Sequence, residues 1–233
     1  MVQFVVASKA SRDRFLTDTA LGSSIGRLSS DPRLSIRLWS SNTRGLSELY
    51  NIAIDAPDTR EIVVFVHDDI WIEDHFTLDR VIDGLRHFDV IGLAGGPYKA
   101  GRLRWGHVRD GAFGAVGHGR NPLGPVTRFG PTPHSVDLLD GLFIAAKTET
   151  LRQARVRFDE AFRFHFYDLD FSLTARQAGL RLGVWPISVT HQSRGNFDGP
   201  DWKEASEVFA RKWSGVELAA QSDVRSLSQS PVG

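Results

Sequence analysis

The 233-residue chain contains no cysteine. That excludes disulfides, thiolate catalysis and zinc held by cysteine ligands. Neither charge is in excess, since 28 basic residues balance 28 acidic ones. Nucleic-acid binders and proteins of anionic membrane surfaces usually carry a basic excess, so neither partner is expected. No apolar run approaches the roughly 20 residues of a spanning helix. The run near the amino terminus, within MVQFVVASKASRD, is also too short for a secretory signal. The chain therefore reads as soluble and cytoplasmic, without a transmembrane segment. What it does have is 41% apolar residues, enough for the core of one large α/β domain.

The chain is organised around Glu61–Trp71, EIVVFVHDDIW. Its apolar run, Ile62 to Val66, is rich in β-branched residues and reads as a strand buried on both faces of a parallel sheet. His67-Asp68-Asp69 follow at once, which places two acids at the carboxyl edge of the sheet, where open α/β folds bind ligands. Adjacent acids with no neighbouring Lys or Arg suit a divalent cation, and such a cation would hold phosphate oxygens. Asp68 could equally cap the next element.

Around this strand the pattern is that of crossover units. Phe4–Ala7 is a strand followed by a polar loop, 8–14, and Ser35–Trp39 is a strand that stops at Ser40-Ser41-Asn42. Leu46, Leu49, Tyr50, Ala53 and Ile54 recur at helical spacing until Pro57. Further strands are expected at Asp89–Ala94, at Leu138–Ala146 with Asp140-Gly141 inside it, and at Leu182–Val189. Pro186 argues that the last lies near a sheet edge. A helix is expected over Asp168–Ala178, with Gly179 at its left-handed C′ position. Asp201 and Glu204 form a candidate capping box for a final helix. The polar tail, 221–233, is expected to be flexible.

The stretch 99–130 stands apart. It holds eight glycines and six basic residues (Lys99, Arg102, Arg104, Arg109, Arg120 and Arg128) against one acid, Asp110. A long glycine-rich connection is either a solvated loop or a functional one. In the second case its cations would approach a phosphorylated ligand.

Three groups of residues could carry chemistry. Asp68 and Asp69 are the first. His191, just past a strand, is the second. Paired with a carboxylate it would complete a mixed oxygen/nitrogen site that suits Mn²⁺ better than Ca²⁺. Asp168 and Asp170 are the third. Acids in a first helical turn are favoured by the helix dipole, and a carboxylate there can also deprotonate an attacking hydroxyl.

FVHDDI, an Asp-Gly strand, VRFDEAF and FHFYDLDFSLTARQAG, in that order, resemble glycosyltransferase family 2, whose members have the GT-A fold. DGLFIAAK, LGVWPISVTHQSRG and the closing FARKW look like the branch typified by a streptomycin-biosynthesis glycosyltransferase-like domain. The resemblance covers roughly 35–213 and is strongest over 138–213. It implies a single GT-A-like, Rossmann-like domain at 1–220 with a mostly parallel central sheet flanked by helices. The nucleotide-binding part would be about 1–98 and the acceptor part about 99–220.

It also implies roles. The family's Asp-x-Asp metal motif falls on His67, Asp68 and Asp69, so His67 stands where the first acid would be. Asp69 is the implied metal ligand, and Asp68 lies toward the ribose and phosphates. His191 matches a late histidine that serves the metal or the diphosphate. Ser8-Lys9 and Ser41-Asn42 would face the nucleotide base. Asn51 matches an asparagine in the helix before the metal motif. The family's Glu-Asp pair falls on Tyr167-Asp168, which makes Asp168 the implied base. The implied activity moves a sugar from a nucleotide-diphosphate sugar to a hydroxyl of a saccharide or small molecule, with Mn²⁺ or Mg²⁺ as cofactor. A single base and no obvious nucleophilic carboxylate imply inversion. A catalytically silent nucleotide-sugar-binding domain and a metal-dependent phosphoesterase are the alternatives.

Overall fold

The computed structural model describes residues 1–103, 111–193 and 198–221. Val2–Ala7 (β1), Leu34–Trp39 (β2) and Ile62–Val66 (β3) run parallel, with β1 in the middle. Arg12–Asp18 (α1) and Ala20–Leu28 (α2) connect the first pair, so part of the expected polar loop is helix. Leu46–Asp55 (α3) connects β2 to β3, as its periodicity predicts.

Side chains alternate across a strand, and β3 shows why its run is continuously apolar. Ile62, Val64 and Val66 belong to one core cluster with Phe15, Leu21 and Ile25 of α1 and α2. Val63 and Phe65 belong to another with Tyr50 and Ile54 of α3. Burying each such side chain contributes about 1.5–3 kcal/mol, and all five in β3 are buried.

Beyond β3 come Ile70–Ile72 (β4), Thr77–His87 (α4), Val90–Gly92 (β5), Ala94–Gly96 (β6), Phe113–His118 (β7) and Val126–Gly130 (β8). His134–Ser135 (β9), Leu138–Leu139 (β10), Phe143–Lys147 (β11), Thr148–Gln153 (α5) and Tyr167–Gln177 (α6) follow. Leu182–Val184 (β12), Val189–His191 (β13) and Pro200–Lys212 (α7) complete the described elements. The larger sheet has the order β2-β1-β3-β11-β5-β12-β9 and the smaller one β10-β6-β7-β13-β4, with β8 paired to β7. Helices cover both faces of the larger sheet. The expectation of a mostly parallel sheet needs correction, because β11 lies antiparallel to both β3 and β5, and β9 is antiparallel to β12. The sheet is mixed.

Three stretches expected to be single strands are each two. Asp89–Ala94 is β5 and then β6, Leu138–Ala146 is β10 and then β11, and Leu182–Val189 is β12 and then β13. In each case the chain leaves one sheet and enters the other, turning at Leu93, at Asp140-Gly141-Leu142 and at Trp185–Ser188. β3 does the same, passing through His67-Asp68-Asp69 into β4. A seam between the sheets thus collects the acids that interrupt apolar runs. Pro186 marks such a turn rather than an edge, since β12 lies inside the larger sheet between β5 and β9.

The glycine-rich stretch is also more ordered than its composition implies. Residues 113–130 form the β7–β8 hairpin. At Gly114 (φ +106°) an added Cβ would lie 2.1 Å from the Leu93 carbonyl oxygen, so glycine permits β7 to approach the seam. Lys99, Arg102, Arg120 and Arg128 are exposed, while Arg104, Arg109 and Asp110 lie outside the described residues. α6 ends as predicted, with Gly179 at φ +81°. The Asp201/Glu204 capping box does not form: Gly199 is the N-cap of α7 and Pro200 its first residue. Pro at N1 needs no donor there. Of the tail, 222–233 lies outside the described residues. No helix among the described residues is long and apolar enough to cross a membrane.

Candidate active site at the seam between the sheets

Because β1, β2 and β3 are parallel, the loops that follow them share one edge. Asn42 N–H donates to the Ser8 carbonyl at 2.8 Å, which ties the first two loops together. The buried Ser8 hydroxyl donates to Asp68 Oδ2 at 2.5 Å, which brings in the third. Burial pushes the Asp68 carboxyl up, and the Ser8 hydroxyl opposes that. Lys9 is exposed beside Ser8. The Asn42 amide closes a local turn with Arg44. Asn51 is not part of this group. Its carboxamide bridges the Phe158 backbone, donating to O at 2.8 Å and accepting from N–H at 2.9 Å, so it fastens the 158–160 segment to α3.

Asp69 turns toward the smaller sheet. Its backbone carbonyl accepts from Gln192 N–H at 2.8 Å, and β13 lies antiparallel to β4. That register delivers His191, whose Nε2 stands 3.2 Å from Asp69 Oδ2 and 3.0 Å from the Ser193 hydroxyl. Burial alone would raise the Asp69 carboxyl. The His191 hydrogen bond and the nearby imidazoles outweigh it and hold the group at about 2. Asp69 Oδ1 is buried and has no hydrogen-bond partner. Parallel pairing of β7 with β13 sets His118 opposite His191, ring centroids 6.1 Å apart. Sequence reasoning missed His118, because its strand is hidden among glycines. The only signal was a histidine ending an alternating run, Phe113–His118.

The antiparallel register of β11 on β3 brings the residues before β11 to those after β3, and His67 N–H donates to the Leu142 carbonyl at 3.1 Å. Asp140 and Gly141 therefore join the site. Gly141 N–H donates to Asp168 Oδ2 at 2.9 Å. Asp168 is half-buried in the first turn of α6, and burial, then the neighbouring Asp140, push its carboxyl up to about 7. Asp140 was visible in the sequence only as an acid interrupting an apolar strand.

Two constraints orient Asp168. Phe166, the residue before α6, is left-handed at φ +63°. A non-glycine residue held so costs on the order of 1–3 kcal/mol, and packing of its ring on Trp202 and Phe209 holds it there. Tyr167, next along, is buried. Its hydroxyl donates to the Gly141 carbonyl at 2.8 Å and meets His67 Nε2 at 2.7 Å. A Cβ on Gly141 would lie 2.3 Å from that hydroxyl, so only glycine fits. Asp170 has a different place. It is fully buried and accepts from Trp213 Nε1–H at 2.8 Å and from Lys212 at 2.7 Å, locking α7 to α6.

The seam thus holds an ionised carboxylate beside imidazoles, a second carboxylate held nearer neutrality, and between them no bulky side chain at Gly141. A three-layer α/β domain of this topology, with acids where β3 passes into a second sheet, is a GT-A glycosyltransferase fold. Residues 34–213 match the model of a glycosyltransferase-like family, and the chain belongs to that family. Among curated proteins there is no significant match. The crystal structure of S. aureus TarS residues 1–349 superposes with a TM-score of 0.53 at 15% identity, covering 94% of this chain and 67% of that one. The full S. aureus TarS structure gives 0.52 at 14% identity, covering 94% of this chain and 41% of that one. This chain therefore spans about two fifths of the full TarS chain.

Proposed function

We propose that this chain transfers a sugar from a nucleotide-diphosphate sugar to a hydroxyl acceptor, with inversion and with the help of a divalent cation, Mn²⁺ or Mg²⁺. One observation carries the reading. Asp168, raised to about 7, stands at the same seam as Asp69, held at about 2. A base poised near the working pH and a permanently ionised ligand are what this transfer needs.

What supports a cation is Asp69 Oδ1, a buried carboxylate oxygen without a hydrogen-bond partner; the described residues hold no group of three or more histidines and acids already set to bind one, so the nucleotide's own oxygens would complete its shell. Asp69 and His191 would hold it. When bound, a divalent cation supplies charge neutralisation for the leaving diphosphate. Asp68, with Ser8, Lys9 and Asn42, lines the donor side. In this reading Asn51 acts on that side only through the backbone it fastens. Asp168 takes the proton of the acceptor hydroxyl. Its hydrogen bond from Gly141 N–H holds one carboxylate oxygen in place at the seam. One base and one displacement at the anomeric carbon give inversion. Residues 1–98 would then bind the nucleotide and 99–220 the acceptor, and the segments quoted above support placement in the streptomycin-like branch.

Thermal unfolding with UDP, GDP, TDP or CDP, each with and without Mn²⁺, tests the donor half. A ligand at a hundredfold excess over its dissociation constant adds about 2.7 kcal/mol to the folded state. A metal-dependent rise with one nucleotide is the expected result. No rise with any of the four overturns the donor assignment. Retention of anomeric configuration in the product, seen by NMR, overturns the single-base route.

A further inference from the structure

The chain that leads into α6, Phe162-Arg163-Phe164-His165-Phe166, carries three phenylalanines at alternate positions. Phe162 and Phe166 are buried, whereas Phe164 keeps 51% of its surface exposed. Single apolar side chains scattered over a surface are ordinary. Phe164 differs from these, because the backbone on both sides of it is fixed and its ring borders the seam.

Ahead of it, the Arg163 carbonyl accepts from Leu46 N–H at 2.7 Å, and the buried Ser47 hydroxyl donates to the Phe162 carbonyl at 2.5 Å. Both donors belong to the first turn of α3. A Cβ on Gly45 would lie 3.1 Å from Arg163 Cα, so this packing is close. Behind it, the left-handed Phe166 is held by Trp202 and Phe209. The Phe164 ring stands 6.1 Å from that of His67 with the two planes 22° apart, and His165 meets it edge-on at 5.1 Å. His67 in turn touches the hydroxyl of Tyr167, the residue next to Asp168. Phe164 is thus a rigid, open aromatic surface four residues ahead of the base.

Such a surface suits a ligand with one apolar face and a polar edge. A pyranose is built in this way, with C–H bonds over one face and hydroxyls around its rim. Stacked on Phe164, it would turn a hydroxyl toward Asp168. A nucleobase also offers a flat face, and α3 follows one of the loops on the donor side. The ring contacts of Phe164, however, are with His67 and His165, on the side of Tyr167 and Asp168. We propose that Phe164 is the surface on which the acceptor stacks, and that the acceptor is a saccharide held through the C–H face of a pyranose. The inference rests on the reading of Asp168 as the base, and it narrows the acceptor from any hydroxyl compound to a sugar.

The test is saturation-transfer NMR on the full chain with cellobiose, lactose, diacetylchitobiose and mannobiose. Each is offered with Mn²⁺ and with UDP, GDP, TDP or CDP in turn. Binding of one disaccharide is expected, with saturation strongest on the C–H protons of one pyranose face. Phe164→Ala should weaken that binding about 10-fold, and Phe164→Trp should hold it within about threefold. The ring is half-exposed, so Phe164→Ala should fold and keep the wild-type thermal shift with nucleotide. Equal disaccharide binding in Phe164→Ala and wild type overturns the inference and leaves sugar transfer intact. A nucleotide shift lost in Phe164→Ala, with disaccharide binding kept, makes the ring a nucleobase surface and overturns it as well. Wild type that shows the nucleotide shift but binds none of the four disaccharides overturns the saccharide acceptor alone. Wild type with neither response overturns the transferase reading, and this inference with it.

Discussion

Asp69 and Asp168 are the same side chain at the same seam, yet their surroundings drive them in opposite directions. Asp69 gains a histidine and stays ionised down to about pH 2. Asp168 gains burial and a neighbouring acid, which outweigh the backbone N–H groups around it, and its carboxyl rises to about 7. The difference follows from what each strand register delivers. β13 brings an imidazole to Asp69 and β11 brings Asp140 to Asp168. Paired titratable groups pushed apart in this way suit a division of labour: in the proposed reading one acid holds positive charge and the other exchanges a proton.

The strongest way to break the comparison is to remove each carboxylate in turn. Asp168→Asn should lower kcat about 10²- to 10⁴-fold, the usual worth of a positioned base, and leave the metal-dependent thermal shift with nucleotide unchanged. Asp69→Asn should abolish that shift. If both variants lose the shift, or neither loses turnover, the division is wrong.

The pH profile sharpens it. A base must be ionised to act, so kcat should rise with pH through about 7, the value at which Asp168 titrates. Asp140 raises that value by charge repulsion, so Asp140→Asn should move the rising limb to lower pH. A limb that stays in place would remove Asp140 from the account.

Stability should also respond with opposite signs. Asp168 has a folded pKa above its unfolded one, so its ionisation opposes folding. Wild type should lose stability relative to Asp168→Asn as pH rises from about 4 to about 7, and the two should converge in acid. Asp69 has a folded pKa below its unfolded one. It contributes on the order of 2 kcal/mol above about pH 4, lost as pH falls toward 2, and Asp69→Asn should show that loss at neutral pH. Urea denaturation across pH 2–8 measures both slopes.

The parts of this molecule that could be read from sequence are those in which one strand or helix completes its own logic. The apolar run 62–66, the helix at 46–55 and the glycine after α6 are of that kind; Asp68 and Asp69 stood out because they follow such a strand, while the role assigned to Asp168 came from the family resemblance. The smaller sheet was not legible. Its strands are two to six residues long, too short for a period to show, and three of them continue a strand of the larger sheet after a turn. His118 reaches the site at the end of β7 and was missed with it; Asp140, which follows β10, was visible only as an acid inside an apolar run. Asp168 and Asp170 make the same point within one helix. Both are first-turn acids, and only tertiary packing sends one to the seam and the other beneath Trp213.

The smallest expected effect concerns the third acid. Asp68 lies between the two extremes, with burial raising its carboxyl and the Ser8 hydroxyl holding it back. Ser8→Ala removes that donor and leaves Ala10 N–H without the hydroxyl it now reaches at 3.1 Å. Hydrogen bonds to charged groups contribute about 1.5–3 kcal/mol, but Asp68 is only half-buried and water can replace part of the loss. Ser8→Ala should therefore cost about 1 kcal/mol in urea denaturation at pH 7, with the deficit shrinking as pH falls and Asp68 protonates. Nucleotide affinity should fall a few-fold, with kcat at saturating donor unchanged. A fall in kcat of the size expected for Asp168→Asn would instead place Asp68 on the proton-exchanging side of the seam.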